Sequence, residues 1–414
     1  MLTAEIIAVG SELLTPERTD TNSLWLTEKL MDIGVEVKLK TIVGDDEARL
    51  EETIRDALKR SDIVITTGGL GPTEDDVTRN VSARAAGRDV VYHDEIEAHL
   101  RERFRQWGRE MPEINKRQAF VIEGAEILPN PNGSAVGMML NDNGKFLVVL
   151  PGPPREMQPM FENHVLDCLR SVSGDVSVVR RVLRVSGYGE SALDELISPI
   201  YKAYGSVQTS ILFNRSEVEV HLSAASSNAA ESSKMIDEIV DKIAHVLGSA
   251  LFAKNGETME EVVGKLLQDR KQTLSVAESC TGGLIGMRLT DIAGSSSYFM
   301  EGVITYSNDA KMRTLGVSEE TLAQYGAVSS QTAEAMAEGM RRRAGTDYAI
   351  SVTGIAGPDG GSEEKPVGTV YIGYADEKRT KFLHMQLPGD RYLIRWRSSQ
   401  AALDYLRRQI LKKA

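Results

Sequence analysis

The chain has 414 residues, enough for two to four domains of ordinary size. Hydrophobic residues make up 41% and charged residues 26%, a globular balance, and the formal net charge of −12 argues against non-specific attraction to nucleic acid or an anionic membrane. The two cysteines, Cys168 and Cys280, form neither a metal spacing nor a disulfide framework, and no apolar run reaches the ~18 residues of a membrane helix, so a cytoplasmic location is expected.

The opening "MLTAEIIAVG" already reads as a strand, which leaves no room for a signal peptide. "TNSLWLTEKLMDIG" reads as a helix ending at Gly34, "VEVKLKTIVG" as a strand, and "DEARLEETIRDALKRS" as a helix, acidic early and basic late as its dipole prefers. "DIVITTGG" and "KFLVVLPGPP" are buried strands. The βαβαβ order predicts a parallel sheet with right-handed crossovers. Four loops then fall at carboxyl ends of strands and are expected to share one crevice. The first carries Glu12, Asp20 and Asn22, the second Asp45 and Asp46. The third is Gly68, Gly69 and Gly71 followed by Glu74, Asp75 and Asp76, and the fourth is "LPGPPREM". The third loop lacks the lysine of a P-loop and the spacing of a dinucleotide fingerprint. Its carboxylates beside a phosphate-sized turn suggest a divalent cation whose shell a ligand's phosphates would complete. An acidic helix start would leave the same residues.

Residues 171–252 read as a small β-α-β-β-α unit, with a hairpin around Asn214 and Arg215. From residue 253 a helix leads into "TLSVAESCTGGLIG", a strand, tight turn and helix start with two adjacent nucleophiles, Ser279 and Cys280. Thr281, Gly282 and Gly283 complete the turn, where helix-start amides suit an oxyanion or phosphate. "EGVITYSNDAK" places Tyr306 at a strand end and Lys311 in the first turn of the next helix. Ser279, Tyr306 and Lys311 are therefore expected at one sheet edge, where a desolvated lysine loses basicity and can serve as a base. "DYAISVTG" and "GTVYIGYAD" are further strands, joined by a long glycine loop with Gly354 and Gly357. Arg391 and Arg395, four apart on the last helix, either hold a phosphate or solvate the helix. The six histidines are scattered, and no histidine-ligated zinc site is expected.

"AESCTGG", "ITYSNDAK", "GIAGPDGGSEEKPVGTVY" and "PGDR" together resemble the CinA carboxyl-terminal domain, the nicotinamide mononucleotide (NMN) deamidase type. The resemblance implies hydrolysis of the NMN amide to nicotinate mononucleotide and ammonia without a cofactor. It makes Ser279 the nucleophile and Tyr306 and Lys311 its activating partners, with Cys280 a packed neighbour. Residues 1–170 resemble a molybdopterin-binding (MoaB/MogA-like) domain in its CinA variant, "SELL" standing where "GELL" is frequent. That variant implies a metal-dependent ADP-ribose pyrophosphatase. The middle unit resembles the KH-type domain of full-length CinA proteins, but its "GYGE" is not the loop with which RNA-binding KH domains clamp nucleotides. The expected architecture is therefore α/β throughout: an amino-terminal parallel-sheet domain (1–170), a small α+β domain (171–252) and an α/β amidohydrolase domain (253–414). The expected protein is a bifunctional enzyme of pyridine-nucleotide salvage and a homodimer, with small-molecule substrates and no membrane partner. The rival readings are a non-catalytic pterin or nucleotide sensor, a competence or DNA-recombination factor, and a deamidase with a relic first domain. The acidic charge disfavours nucleic acid.

Overall fold

The run "TAEIIAV" forms strand β1 (Thr3–Val9), with six of its seven positions buried. A strand covered by helices on both faces has no solvent side, so its sequence is almost continuously apolar. The structure, a computed structural model, describes residues 2–174 and 176–412. The chain divides into two units, the first within residues 1–179 and 225–233 and the second within residues 180–224 and 234–414.

In the first unit α1 (Asn22–Asp32) leads to β2 (Glu36–Val43), and α2 (Glu47–Arg60), capped by Asp46, leads to β3 (Ile63–Thr67). There follow α3 (Thr78–Ala85), β4 (Val90–Tyr92), α4 (Asp94–Gln106), β5 (Phe120–Ile122), β6 (Glu126–Leu128), β7 (Gly137–Asp142), β8 (Lys145–Leu150), α5 (Pro154–Met160) and α6 (Leu166–Ser173). The sheet order is β2-β1-β3-β8-β7-β6. Its first four strands are parallel, and β7 and β6 are an antiparallel edge. The chain leaves β1 towards β2 on one side and places β3 on the other. The carboxyl ends of β1 and β3 thus flank the switch point where such sheets bind ligands.

Next along the chain come β9 (Ser177–Ser186), α7 (Glu190–Tyr201), β10 (Val207–Asn214), β11 (Glu217–Ser226), α8 (Ala229–Leu247) and β12 (Leu251–Ala253), mostly within the second unit, and the four strands form a sheet ordered β10-β11-β9-β12. The expected hairpin is present, with Asn214 opposite Glu217 and Arg215 at φ +55°. The last sheet comprises β13 (Leu274–Glu278), β14 (Phe299–Ile304), β15 (Tyr348–Gly354), β16 (Thr369–Ala375) and β17 (Thr380–Gln386), ordered β14-β13-β15-β16-β17. Its helices are α9 (Met259–Arg270), α10 (Leu284–Thr290), α11 (Asn308–Leu315), α12 (Glu319–Tyr325), α13 (Ser330–Ala344) and α14 (Arg391–Leu411). Leu274 and Val276 of β13 join a core with Val263, Leu267, Leu403 and Leu406 of α9 and α14. Ala277, on the other face, packs with Met336 and Met340 of α13. That alternation gives one sheet covered by two helical layers, as the period of two in a strand requires. Among the described residues no helix is long and apolar enough to cross a membrane.

Candidate active site

Strand β13 ends at Glu278, between β14 and β15, so Ser279 begins the turn at the switch point of the last sheet. The ladder holds it from both sides: the Ser279 amide donates to the Val352 carbonyl (3.0 Å), and the Thr305 amide donates to the Glu278 carbonyl (2.8 Å). The chain then reverses through Gly282 and Gly283, at φ +61° and +94°, which side chains with a Cβ seldom adopt. Ser279 is 8% exposed.

Lys311 comes from the first turn of α11, where Ser307 caps the helix by accepting the Ala310 amide. It is 1% exposed, and its Nζ lies 3.2 Å from Ser279 Oγ, 2.8 Å from the Thr305 carbonyl and 3.3 Å from the Tyr306 carbonyl. No carboxylate pairs with it among these contacts. Burial pushes its pKa below the ordinary lysine value, because the charged form loses hydration without gaining a counter-ion. In the neutral amine two N–H groups satisfy the two carbonyls, and the lone pair is left to accept the Ser279 hydroxyl. A serine hydroxyl beside a neutral amine is an arrangement that can be activated as a nucleophile without histidine. Burial also pushes the Cys280 thiol up to about 12, which favours the protonated form at neutral pH.

The first unit carries a different site. A cavity of about 640 Å³ opens at the carboxyl ends of β2, β1, β3 and β8, and is lined by Glu12, Asp20, Asp45, Asp75, Asp76 and Glu156 together with Gly68, Gly69 and Gly71. Several of these carboxylates hold the walls. Asp76 accepts the amides of Gly71 (2.7 Å) and Thr73 (2.9 Å), Asp45 accepts that of Ser11 (2.9 Å), and Asp20 that of Ser23 (3.0 Å). Asn22 donates to Thr67 Oγ1 (2.9 Å) and the Gly152 carbonyl (2.7 Å), tying β3 to β8. Beneath the glycine loop Arg79, 3% exposed, donates to the Leu70 carbonyl, and burial pushes its pKa down to about 10.

Residues 256–410 match the family described as "CinA C-terminal domain", residues 5–171 match "Probable molybdopterin binding domain", and residues 180–253 match "Damage-inducible protein CinA KH domain". A "CinA-like protein" of Solibacter usitatus is 50% identical over 410 residues, covering 99% of each chain. The chain belongs to the CinA family. A "Putative competence-damage inducible protein" of Clostridium novyi is 43% identical, again over 99% of both chains. Among solved structures, the competence/damage inducible protein CihA from Agrobacterium tumefaciens is 44% identical, covers 36% of this chain and 94% of its own, and has a TM-score of 0.35.

In this CinA-family chain the structure brings Ser279 and Lys311 together but places Tyr306 elsewhere. The Tyr306 ring is 62% exposed at the rim, and its hydroxyl accepts from Arg391 (3.3 Å), so only its carbonyl reaches Lys311. Thr281 turns its side chain inward, fully buried. The two arginines, Arg391 exposed and Arg395 half-buried, both bond the backbone around the site. Arg395 donates to the Thr281 carbonyl (2.7 Å), and Arg391 to that of Gly357 (2.7 Å), so they brace the nucleophile turn and the glycine loop. Gly354 is a packing position, where a Cβ would lie 2.8 Å from the Thr369 carbonyl. Glu74 does not line the first-unit cavity; it points to solvent and pairs with Arg117. Among the described residues no group of three or more His, Cys, Asp or Glu is arranged to hold a metal ion. Sequence reading passed over Glu278 and Glu156. Glu278 is the last residue of β13 and Glu156 lies in the first turn of α5 after β8, and a charged residue at the end of a buried strand was the available signal for Glu278.

Proposed function

We propose that the last domain is a serine amidase acting on NMN. The observation that carries this reading is the buried Lys311 amine, with no carboxylate partner among the described residues, 3.2 Å from Ser279 Oγ. Ser279 Oγ adds to the carboxamide carbon as Lys311 takes the hydroxyl proton. The C–N bond then breaks, and the same proton leaves with the amine as ammonia. Water, deprotonated by Lys311, attacks the acyl-serine, and collapse releases nicotinate mononucleotide and returns the proton to Ser279. Tyr306, exposed at the rim and held by Arg391, is positioned to lie against the pyridine ring rather than to move a proton. Steady-state ammonia release tests the assignment. Ser279→Ala and Lys311→Met should each lower kcat by at least ~10³-fold, and Cys280→Ala should keep most of it. A dead, folded Cys280→Ala beside an active Ser279→Ala would make this a thiol amidase.

A second reading assigns the first-unit cavity to ADP-ribose hydrolysis with a divalent cation, and the acidic, glycine-lined cleft supports it. Its donors do not form a closed cage but suit a hydrated ion. Glu12, Asp20 and Asp45 would hold it with few direct contacts, and a diphosphate would complete the shell. Such an ion, when bound, supplies charge neutralisation and an acidified water. The chain itself offers the Gly69 and Leu70 amides, which have no acceptor among the described residues, and the Arg79 cation behind them. AMP release from ADP-ribose should stop in excess chelator and return with added divalent cation. Asp75→Ala should lower it while NMN deamidation continues. Full activity in chelator removes the metal from this reading.

A further inference from the structure

The turn that carries Ser279 spends its glycine amides on itself. The Gly282 amide donates to the Ser279 carbonyl (3.1 Å). The amides of Gly283 (3.0 Å), Ile285 (3.2 Å) and Gly286 (2.9 Å) all donate to the carboxylate of Glu278, itself 3% exposed. One buried side chain thus satisfies the orphan donors at the start of α10 and places a negative charge where the helix dipole favours it. The amides that a glycine turn would be expected to offer an oxyanion are therefore occupied. Two others are not. The amides of Cys280 and Thr281 have no backbone acceptor and no acceptor from another side chain among the described residues; that of Cys280 meets only its own thiol. In a trans peptide the N–H points opposite to the carbonyl of the same plane. The Ser279 carbonyl points into the turn towards Gly282, so the Cys280 N–H points out of it.

We propose that the amides of Cys280 and Thr281 receive the oxyanion, and that Glu278 is the positioning residue that locks the turn in the shape presenting them. The inference rests on the amidase reading. As the bond from Ser279 Oγ to the carboxamide carbon forms, the π pair moves to the carboxamide oxygen, which accepts these two N–H groups. The pair returns when the C–N bond breaks. Arg395, donating to the Thr281 carbonyl, fixes the next peptide plane from outside.

The test replaces single amides by esters in the full chain, through α-hydroxy acids at positions 280, 281, 282 and 283 in turn. Esters at 280 and 281 should each lower kcat for NMN by about 10²–10³-fold with KM unchanged, the loss typical of one oxyanion donor. Esters at 282 and 283 remove bonds that hold the turn rather than oxyanion donors, so they should lower kcat far less than those at 280 and 281 and show their effect in the melting temperature. Glu278→Gln, which turns an amide donor towards backbone donors, should lower kcat and leave KM alone. Losses confined to 282 and 283, or a wild-type kcat in Glu278→Gln, overturn the proposal. The amidase reading fails separately, if the wild type releases no ammonia from NMN. In that event affinity for phenylboronic acid, which forms a tetrahedral serine adduct, reads the same ester series, and equal affinity across all four esters overturns the donor assignment.

Discussion

Lys311 sets the pH dependence of the last domain. Burial lowers its pKa in the folded protein, whereas the unfolded chain holds its proton up to the ordinary lysine value of about 10.4. Between those two values the unfolded state binds more protons, so stability rises with pH across the window and is lost as pH falls through the folded pKa. On the amidase reading activity should follow the same group, because only the neutral amine can take the serine proton. The value of kcat/KM for NMN should rise through the folded Lys311 pKa and reach a plateau below the ordinary lysine value. Thermal melts over the same range should show the wild type gaining stability relative to Lys311→Met. A profile that still climbs beyond pH ~10.5 would mean a fully hydrated lysine and would remove its role as base. The pairing of Ser279 with Lys311 was legible in the sequence, since both follow strand ends and parallel strands carry their ends to one edge. The fate of the Tyr306 hydroxyl was not, because the direction of an exposed ring depends on Arg391, 85 positions away.

At the scale of elements, the site depends on how closely α11 approaches α13. A Cβ on Gly339 would lie 1.9 Å from the Leu315 carbonyl, the last residue of the helix that carries Lys311. Backbone cannot yield as a side-chain tip does, so Gly339→Ala should push α11 outward by about 1 Å and cost ~1–3 kcal/mol. The same shift should lower NMN deamidation by 10-fold or more, as misplaced catalytic groups do, and leave ADP-ribose hydrolysis unchanged. Circular dichroism melts and ammonia release check both halves; a stable, fully active variant would show that α11 is not held this way. The helices and buried strands were readable because their periodicities differ. Strand β17 was not expected, since "TKFLHMQ" carries polar residues at several positions and buries none of its side chains fully. It adds to the sheet through backbone pairing with β16, which leaves little trace in side-chain pattern. The uses of Glu278, Asp76 and Arg395 were hidden for the same reason: each is spent on a backbone group.

At the scale of the whole molecule, the middle sheet and the last domain meet through polar contacts and through Phe252 and Ala253 of β12, which join the last domain's apolar core. Glu217 of β11 accepts from Gln400 of α14 (2.7 Å), Ser186 donates to Asp404 (3.0 Å), and the Arg215 guanidinium lies 4.4 Å from the Trp396 ring centroid. Arg288 of α10 is anchored differently. It donates to Glu260 (2.7 Å) and Ser399 (2.7 Å), both within the last domain. A chain starting at Lys254 would keep all five strands β13 to β17, helices α9 to α14, the Glu278 turn and the Arg288 anchors. It would lose Phe252 and Ala253 of β12, which pack into the same core as Val263, Leu403 and Leu406, and would expose Gln400, Asp404 and Arg407, so the loss combines a polar interface with a small part of the core. The expected fragment is soluble and cooperatively folded, melts several degrees below the intact protein, and deamidates NMN with kcat within about threefold of the full chain, the range left when the site itself is untouched. Ammonia release at equal molar concentration, beside a melting curve, decides it. A folded fragment with no activity would show that β11 sets the position of α10 through Gln400. Glu217→Gln in the full chain should then reproduce the loss, because Arg288 also donates to Gln400 and a changed partner there would move the helix that begins at the nucleophile turn.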